Sequence, residues 1–265
     1  MRRIRQRLTR EARHEQVLAL LRREGTVRIA TLAKAFGVTT ETVRRDLDQL
    51  ARSGGLNRTY GGGASRSFTD EPPIGVRSRA HAAARIRIGV AAAALVSEGD
   101  AVMIDCGSTT ALFASALAAR HLRITVVTNC LPAARMLGTS ARCRVVLCPG
   151  DYIPREGGVF GPDTLDFIER FRANKAFIGA GGIAADGVTD ADSASCAVKR
   201  AMMARSEQAV LLVDRSKFKL VQFERVCALD EIDDLVTDAA PPRRVAAAIG
   251  RARVRTTVAG AATAA

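Results

Sequence analysis

The residues best suited to chemistry in this sequence lie where short apolar runs give way to glycine and polar side chains. The clearest case is the segment 105–110 (DCGSTT), which follows one such run and enters a predicted helix. Glycine followed by hydroxyls at a helix N-terminus offers a phosphate free backbone N–H groups, hydroxyl donors and a favourable dipole. No GK[ST] follows, which disfavours a nucleoside triphosphate. Simple helix capping explains the same residues equally well.

Four further apolar runs end in the same way, at Asn129, at Gly150-Asp151, in the segment 179–182 (GAGG) and in the segment 214–217 (DRSK). Ligands of open α/β sheets bind outside the carboxyl ends of the strands, so these ends would converge on one edge. Lys217 would be a mobile cation for a phosphate or for sugar oxygens, unless it pairs with Asp214, and ordinary turn chemistry explains the other segments. The predicted effector-binding residues are Asp105, Gly107, Ser108, Thr109, Thr110, Asn129, Gly150, Gly181 and Lys217.

A second kind of chemistry is indicated by the basic stretch 38–47 (VTTETVRRDL). Val43, Leu47 and Leu50 are spaced four and three apart, as on the buried face of a helix. A short amphipathic helix over 28–36 and a turn at Gly37 precede it, which is the pattern of a helix-turn-helix. Its polar face can bind phosphates and base edges. The predicted DNA-binding residues of this helix are Thr39, Thr40, Thr42, Arg44, Arg45 and Gln49.

The glycine-flanked stretch 56–60 (LNRTY) predicts a β-hairpin wing after this helix. Arg58 and Tyr60 would then touch the DNA backbone or the minor groove. A flexible linker is the alternative, but a linker needs no alternating Leu-Arg-Tyr pattern.

The net charge of +13 is unevenly distributed. Residues 1–66 hold 15 Lys and Arg against 6 Asp and Glu, whereas the rest of the chain is nearly balanced. This asymmetry is typical of a basic nucleic-acid-binding module joined to an ordinary domain. With no run of eighteen apolar residues and no secretory signal, we expect a cytoplasmic protein. The six cysteines show no CxxC spacing, so buried free thiols are expected rather than zinc or disulfides.

Beyond the first module, short apolar runs alternate with helical segments from Ala101 onward, after a predicted Ala-rich helix over about 79–96. This pattern predicts a small all-α, winged-helix domain followed by a larger α/β domain with a mostly parallel sheet. The expected boundaries are 1–64 for the DNA-binding domain, 65–76 for a linker, 77–258 for the effector-sensing domain and 259–265 for a disordered tail.

Several motifs together resemble the DeoR family of bacterial transcriptional regulators. They are VTTETVRRDL and GGLNRTYGGGA in the first module, then GSTT (107–110), VVTN (126–129), GAGGI (179–183), DGVTD (186–190) and DRSKF (214–218). The resemblance spans about residues 10–258. It implies a sensor domain similar to the sugar-phosphate isomerase and CoA-transferase fold, a phosphorylated sugar as effector, and a repressor of carbohydrate-metabolism genes. A homodimer or homotetramer is expected on operator DNA.

The chain departs from the family pattern at particular positions. Thr39 replaces a serine and Tyr60 a histidine, while Ala84-Arg85 replaces a Glu-Lys pair. Asp151 stands where a second glycine is usual, and Asn174 where an aspartate is usual.

Two other interpretations are open. The first is a sugar-phosphate isomerase that carries a DNA-binding domain, for which Glu224, seven residues after Lys217, is an unconvincing base. The second is a constitutive architectural DNA-binding protein, which leaves so elaborate a second domain unexplained. Asp190 and Asp192 are expected to be a solvated acidic pair. No catalytic residue, metal or cofactor is predicted.

Overall fold

The computed structural model describes residues 8–52, 55–64, 68–69 and 71–260. The chain forms two compact units that divide between Asp70 and Glu71. The first unit contains the helices and strands α1 (Arg10–Glu24), β1 (Thr26–Arg28), α2 (Ile29–Phe36), α3 (Thr40–Arg52), β2 (Asn57–Thr59) and β3 (Gly62–Ala64).

Local sequence signals account for the helices of the first unit. The Thr9 hydroxyl accepts the Ala12 N–H at the start of α1, and Gly25 ends that helix in the left-handed conformation. Gly37 ends α2 in the same way. The buried residues of α2 are the four that its periodicity predicts: Ile29, Leu32, Ala33 and Phe36.

The predicted wing is confirmed as an antiparallel hairpin. β2 and β3 pair around the turn at Tyr60 and Gly61, and β3 also pairs with β1, in the order β1-β3-β2. A Cβ atom on Gly62 would lie 2.0 Å from the Val27 carbonyl oxygen, so only glycine fits where β3 crosses β1. The unit is therefore a winged helix-turn-helix.

The second unit alternates helices and strands around one large sheet. In chain order they are α4 (Ile74–Arg79), α5 (Ala82–Ala93), β4 (Ala101–Ile104), α6 (Ser108–Ala118), β5 (Ile124–Thr128), α7 (Leu131–Leu137), β6 (Cys143–Leu147), β7 (Asp151–Ile153), β8 (Gly158–Phe160), α8 (Pro162–Glu169), β9 (Ala173–Ile178), β10 (Gly182–Ala184), β11 (Gly187–Asp190), α9 (Ser193–Ala204), β12 (Ser206–Leu212), β13 (Glu224–Cys227), β14 (Asp234–Thr237), α10 (Arg243–Arg251) and β15 (Arg255–Val258).

Seven of these strands form one parallel sheet in the order β15-β14-β12-β9-β4-β5-β6. The chain first builds outward from β4 to β6, then returns to add β9 on the other side of β4. The strand order therefore reverses between β4 and β9, which is the position where α/β sheets bind ligands. The seven strands of the sheet fall in the short apolar runs that alternate with helical segments from Ala101 onward, so the predicted fold class is confirmed.

The remaining strands form two small antiparallel sheets, β7-β8 and β10-β11-β13, near the carboxyl ends of the large sheet. The sequence did not predict them or α8, since each is short. The core lies between the sheet and its helices, where Phe113 of α6 stacks on Phe177 of β9 with 4.2 Å between ring centroids.

Three sequence expectations differ from the structure. The Ala-rich helix expected over 79–96 is shorter, α5 over Ala82–Ala93, because His81 just before it has a φ of 55° that no α-helix accommodates, and α4 ends at Arg79. Residues 71–76 of the expected linker belong to the second unit, where Glu71 is buried in ion pairs. At the expected disordered tail, Ala259 is buried and its N–H donates to the Thr237 carbonyl at 2.7 Å; residues 261–265 lie outside the described residues.

Candidate functional site

The polar face of α3 is the candidate DNA-reading surface. Thr40, Arg44, Arg45 and Gln49 are exposed on it, while Val43, Asp46, Leu47 and Leu50 are buried on the opposite face. The Thr39 hydroxyl accepts the Thr42 N–H at 3.1 Å and lies 2.9 Å from the Thr42 hydroxyl. These two threonines cap the helix and so orient the residues that follow.

Arg44 and Arg45 both lie near Glu41, with shortest N···O distances of 3.6 and 3.3 Å. All three side chains are more than half exposed, so these pairs stabilise the fold by at most about 1 kcal/mol. Both guanidinium groups can therefore leave Glu41 for a phosphate or a base edge. In the free protein, Glu41 lowers the positive charge of this surface.

The buried acid Asp46 ties this helix to α1. It accepts two hydrogen bonds from the Arg13 guanidinium, at 2.7 and 3.1 Å, and its carboxylate lies 3.2 Å from a ring nitrogen of His14. This role was not predicted, although a lone Asp on the apolar stripe of a helix indicates a buried partner. His14 thus has a structural role within the first unit.

The two predicted wing residues differ in how strongly their side chains are held within the protein. Arg58 donates to the Asp48 carboxylate at 2.8 Å and to the Gly62 carbonyl, so it holds the wing against α3. Tyr60, at the tip of the hairpin, is fully exposed. An aromatic ring held in water by a tight turn is available for contact with the DNA backbone.

In the second unit, the carboxyl ends of β4, β5, β6, β9 and β12 lie along one edge because all five strands are parallel. The nine predicted effector residues follow these ends, as expected from their positions. Between β4 and β9, where the strand order reverses, the Asp105 carboxylate accepts the Gly179 N–H at 3.2 Å and so joins the two strand ends directly.

Arg85 joins two of the predicted segments. Its guanidinium donates to the Asp214 carboxylate at 2.8 Å and to the Ser108 hydroxyl at 3.0 Å, and it also reaches the Arg77 carbonyl. Burial by itself would raise the pKa of Asp214, but Arg85 and the hydrogen bonds from Ser216 together outweigh it and hold that pKa below its usual value. Arg85 thus places a cation beside the first turn of α6.

Lys199 of α9 is a second deeply buried cation near this edge. Its ammonium lies 3.0 Å from Asp105 and 3.1 Å from Asp190. Burial alone would lower the pKa of Lys199, but the charges of Asp190 and Asp105 outweigh it and raise the pKa. The lysine is therefore charged at neutral pH and pairs with two acids from different segments.

The acidic residues Asp190 and Asp192 are not a solvated pair, contrary to expectation. Asp190 is buried against Lys199, and Asp192 caps α9 by accepting the Ser195 N–H at 2.8 Å. Both carboxylates have internal partners. Within the described residues, no cluster of three His, Cys, Asp or Glu side chains could hold a metal ion.

Other predicted effector residues mainly support the backbone. Thr109 is buried in the first turn of α6, and the Thr110 hydroxyl lies within hydrogen-bond distance of the Asp105 and Gly107 carbonyls, at 2.9 and 3.1 Å. The Asn129 amide donates to the Val159 carbonyl at 3.0 Å, and its buried oxygen has no hydrogen-bond partner among the described residues.

The two predicted glycines allow close approach of neighbouring segments. A Cβ on Gly150, whose φ is 138°, would lie 2.2 Å from the Thr164 hydroxyl, and one on Gly181 would lie 2.9 Å from Gln222. Gly150 and Gly181 thus shape the edge. Gly107 and Ser108 open α6, and Ser108 carries the hydroxyl that reaches Arg85.

Lys217 is paired with a residue that the sequence did not connect to it. Its ammonium donates to the Glu71 carboxylate at 2.7 Å, and Glu71 also lies 3.2 Å from the Arg77 guanidinium. Neither Asp214, considered as its partner, nor Glu224 takes that place, because Asp214 binds Arg85 and Glu224 binds Arg200 at 2.6 Å. The partners are 146 residues apart in the chain.

Comparison with known proteins places both units in one family. Residues 13–69 match the DeoR-like helix-turn-helix domain, and residues 80–239 match the DeoR C terminal sensor domain. The chain belongs to the DeoR family of transcriptional regulators. It is accordingly a DNA-binding regulator, and the isomerase interpretation is not favoured.

Characterised DeoR-family relatives cover most of the chain. The glycerol-3-phosphate regulon repressor of Escherichia coli (strain K12) is 33% identical over 231 residues, 87% of this chain and 91% of that protein. The L-fucose operon activator of Haemophilus influenzae is 28% identical over 232 residues, 87% of this chain and 92% of that protein.

Among solved structures, ribose 5-phosphate isomerase A from Methanocaldococcus jannaschii has 19% identity and a TM-score of 0.37, covering 51% of this chain and 53% of that one. Nothing about function follows from a likeness of that size. None of the helices in the described residues has the length and apolar character needed to cross a membrane.

Proposed function

We propose that this DeoR-family regulator represses carbohydrate-metabolism genes and that a phosphorylated sugar modulates its binding to operator DNA. The observation that carries the proposal is the pairing, in one chain, of an exposed basic recognition helix with a cation-lined strand edge. The regulon named for the E. coli relative is consistent with a phosphorylated polyol or sugar as the effector class. Binding to the chromosome implies a cytoplasmic protein.

On the DNA side, α3 lies in the major groove. Arg44 and Arg45 reach base edges or phosphates, Thr40 and Gln49 supply uncharged hydrogen bonds, and Thr39 and Thr42 hold the helix N-terminus in place. Arg58 and Tyr60 bring the wing to the backbone. A single such helix reads only a half-site, so a homodimer or homotetramer binds two half-sites about 34 Å apart.

On the effector side, the phosphate binds at the start of α6. The backbone of Gly107 and the Ser108 hydroxyl face it, and Lys217 supplies the positive charge. Thr109, Thr110, Asp105, Asn129, Gly150 and Gly181 shape the edge around it. Arg85, positioned by Asp214, adds a second cation next to Ser108.

The experiment that tests this function measures DNA binding by fluorescence anisotropy, using the region upstream of the protein's own gene. We expect saturable binding that changes when one member of a panel of sugar and polyol phosphates is added. Arg45→Ala should weaken binding by roughly 1–3 kcal/mol if Arg45 reads a base, or reduce the salt slope by about one if it binds a phosphate.

The control is Arg142→Ala, which removes an exposed arginine of the second unit that pairs with Glu98. This variant should bind DNA as the unmodified chain does. If Arg45→Ala and the unmodified chain bind DNA with equal affinity and equal salt slope, α3 does not lie in the major groove. Absence of any DNA binding under all effector conditions would overturn the function.

A further inference from the structure

Lys217, the cation proposed to bind the effector, is already paired with a carboxylate of the chain itself. Glu71 bridges Lys217, at 2.7 Å, and Arg77, at 3.2 Å, and all three side chains are largely buried. Arg77 also pairs with Glu156, and its Nε is buried with no hydrogen-bond partner among the described residues. Lys217 and Arg77 thus bind the carboxylate of Glu71, and the Arg77 Nε remains, within the part of the chain that the structure describes, an unused hydrogen-bond donor.

Glu71 is fully charged at neutral pH. Burial alone would raise its pKa, but Lys217 and Arg77 outweigh the burial and lower the pKa to about 2. A phosphomonoester carries more negative charge than a carboxylate and offers three acceptor oxygens. One such group can therefore accept from Lys217, from the Arg77 donor that now faces Glu71 and from the Arg77 Nε, whereas Glu71 leaves that Nε without a partner among the described residues.

Glu71 is also the first residue after the DNA-binding unit. Pro72 and Pro73 follow it and lead directly into α4. Proline fixes its own φ and restricts the residue before it to extended conformations, so the segment Glu71-Pro72-Pro73 is a stiff rod of roughly 9 Å. We call these three residues the strap.

Both ends of the strap are attached to the sensor domain. The Arg155 guanidinium donates to the Glu71 carbonyl, and the Arg155 carbonyl accepts the Ile74 N–H at 2.9 Å. The Arg85 guanidinium donates to the Arg77 carbonyl and to the Ser108 hydroxyl. If Glu71 leaves its cations, α4 stays attached through Arg77 and Arg85. The amino-terminal end of the rod, nearest the DNA-binding unit, then loses both ion pairs and keeps the Arg155 hydrogen bond to the Glu71 carbonyl, so that end is held more weakly.

We propose that the strap is an internal competitor of the effector, in which a phosphate group displaces the Glu71 carboxylate from Lys217 and Arg77 and so releases the chain that leads to the DNA-binding unit. The inference rests on the proposed function and specifies its regulation. Phosphate and Glu71 exclude each other at the same cations, which is the differential affinity for two states that allosteric coupling requires.

The test compares the full-length protein with its Glu71→Gln variant, using inorganic phosphate and glycerol 3-phosphate as probes in titration calorimetry. Gln removes the competing charge with little change in shape, so phosphate should bind roughly tenfold tighter or more. Glu71→Asp keeps the charge on a shorter side chain and should fall between the two. Glu98→Gln, which alters an exposed acid elsewhere in the sensor domain, should bind like the unmodified chain.

Release of the strap can be measured by proteolysis of the unmodified protein. A protease that cuts on the amino side of aspartate should cleave at Asp70 faster when phosphate is added to the unmodified protein than when chloride is added at equal ionic strength. Without phosphate, Glu71→Gln should already show the fast rate. Its DNA affinity without effector should equal that of the unmodified protein saturated with effector.

The outcomes separate the two hypotheses. If the unmodified protein binds phosphate and Glu71→Gln binds it no tighter, or if phosphate leaves cleavage at Asp70 unchanged, the strap proposal is wrong while the effector site stands. If neither protein binds either probe, the effector site fails and the strap proposal with it.

Discussion

A single lysine joins three segments of the sensor domain. Lys199 comes from α9, Asp105 follows β4, and Asp190 ends β11. Each carboxylate also accepts a backbone N–H, from Gly179 and from Ala191. Two acids with one lysine carry a net negative charge in a buried place, so the arrangement tolerates no loss of the cation.

At this scale we predict that Lys199→Met lowers the free energy of unfolding by about 3–5 kcal/mol, because it leaves two buried carboxylates without a cation. Chemical denaturation measures the loss. Lys175→Met is the matched control, since Lys175 pairs with Asp100 at 3.0 Å nearer the surface, and it should cost roughly 1 kcal/mol or less. Equal losses in the two variants would show that the buried cluster has no special importance.

At the scale of elements, the close packing of α5 on α6 depends on Gly89. A Cβ there would lie 2.9 Å from the Leu112 carbonyl oxygen and 3.0 Å from the Phe113 nitrogen, both backbone atoms that cannot move independently. The approach matters because α5 carries Arg85 and α6 begins at Ser108, and these two residues bond to each other. At position 89, helix propensity therefore favours alanine, whereas the packing of α5 on α6 favours glycine.

We expect Gly89→Ala to destabilise the sensor domain, although alanine is favoured over glycine within a helix by about 1 kcal/mol. The steric term should exceed that gain and leave a net loss of roughly 1–3 kcal/mol. Gly250→Ala in α10 is the control, since nothing lies within 4 Å of a Cβ there, and it should be neutral or stabilising. Thermal unfolding of both variants decides the matter, and a stabilised Gly89→Ala would refute the packing argument.

At the scale of the whole molecule, the chain has two hydrophobic cores with no residue in common. One is centred on residues such as Leu32 and Leu47, the other on residues such as Phe177 and Leu211. Each unit also closes its own sheets, since the described strands of each pair within that unit. Each unit thus has the means to fold by itself.

Two unfolding transitions should therefore appear in scanning calorimetry of the full chain. Leu47→Ala should lower the stability of the DNA-binding unit by about 2–5 kcal/mol and leave the other transition in place, and Leu211→Ala should do the reverse. Both leucines are fully buried, so the two substitutions are matched. Equal shifts of both transitions in either variant would show that the two units unfold together.

How far the sequence predicts this structure depends on how local each signal is. The stripe of Val43, Leu47 and Leu50 in α3, the glycine-flanked wing and the alternation of strands and helices each involve neighbours in the chain, and all were predicted. The break at His81 was missed because a positive φ at a residue other than glycine leaves no signal in the sequence. The two small sheets of the sensor domain, whose strands are three or four residues long, were not predicted.

By itself, the sequence determined the two-part organisation and placed Ser108 and Lys217 after strands, because propensity and periodicity act between near neighbours. Only the tertiary structure decided what those residues contact. Ser108 binds Arg85, Lys217 binds Glu71, and Asp105 meets Asp190 through Lys199. Such partners are chosen by the order of strands and the packing of helices, which bring together charges whose separation along the chain carries no signal.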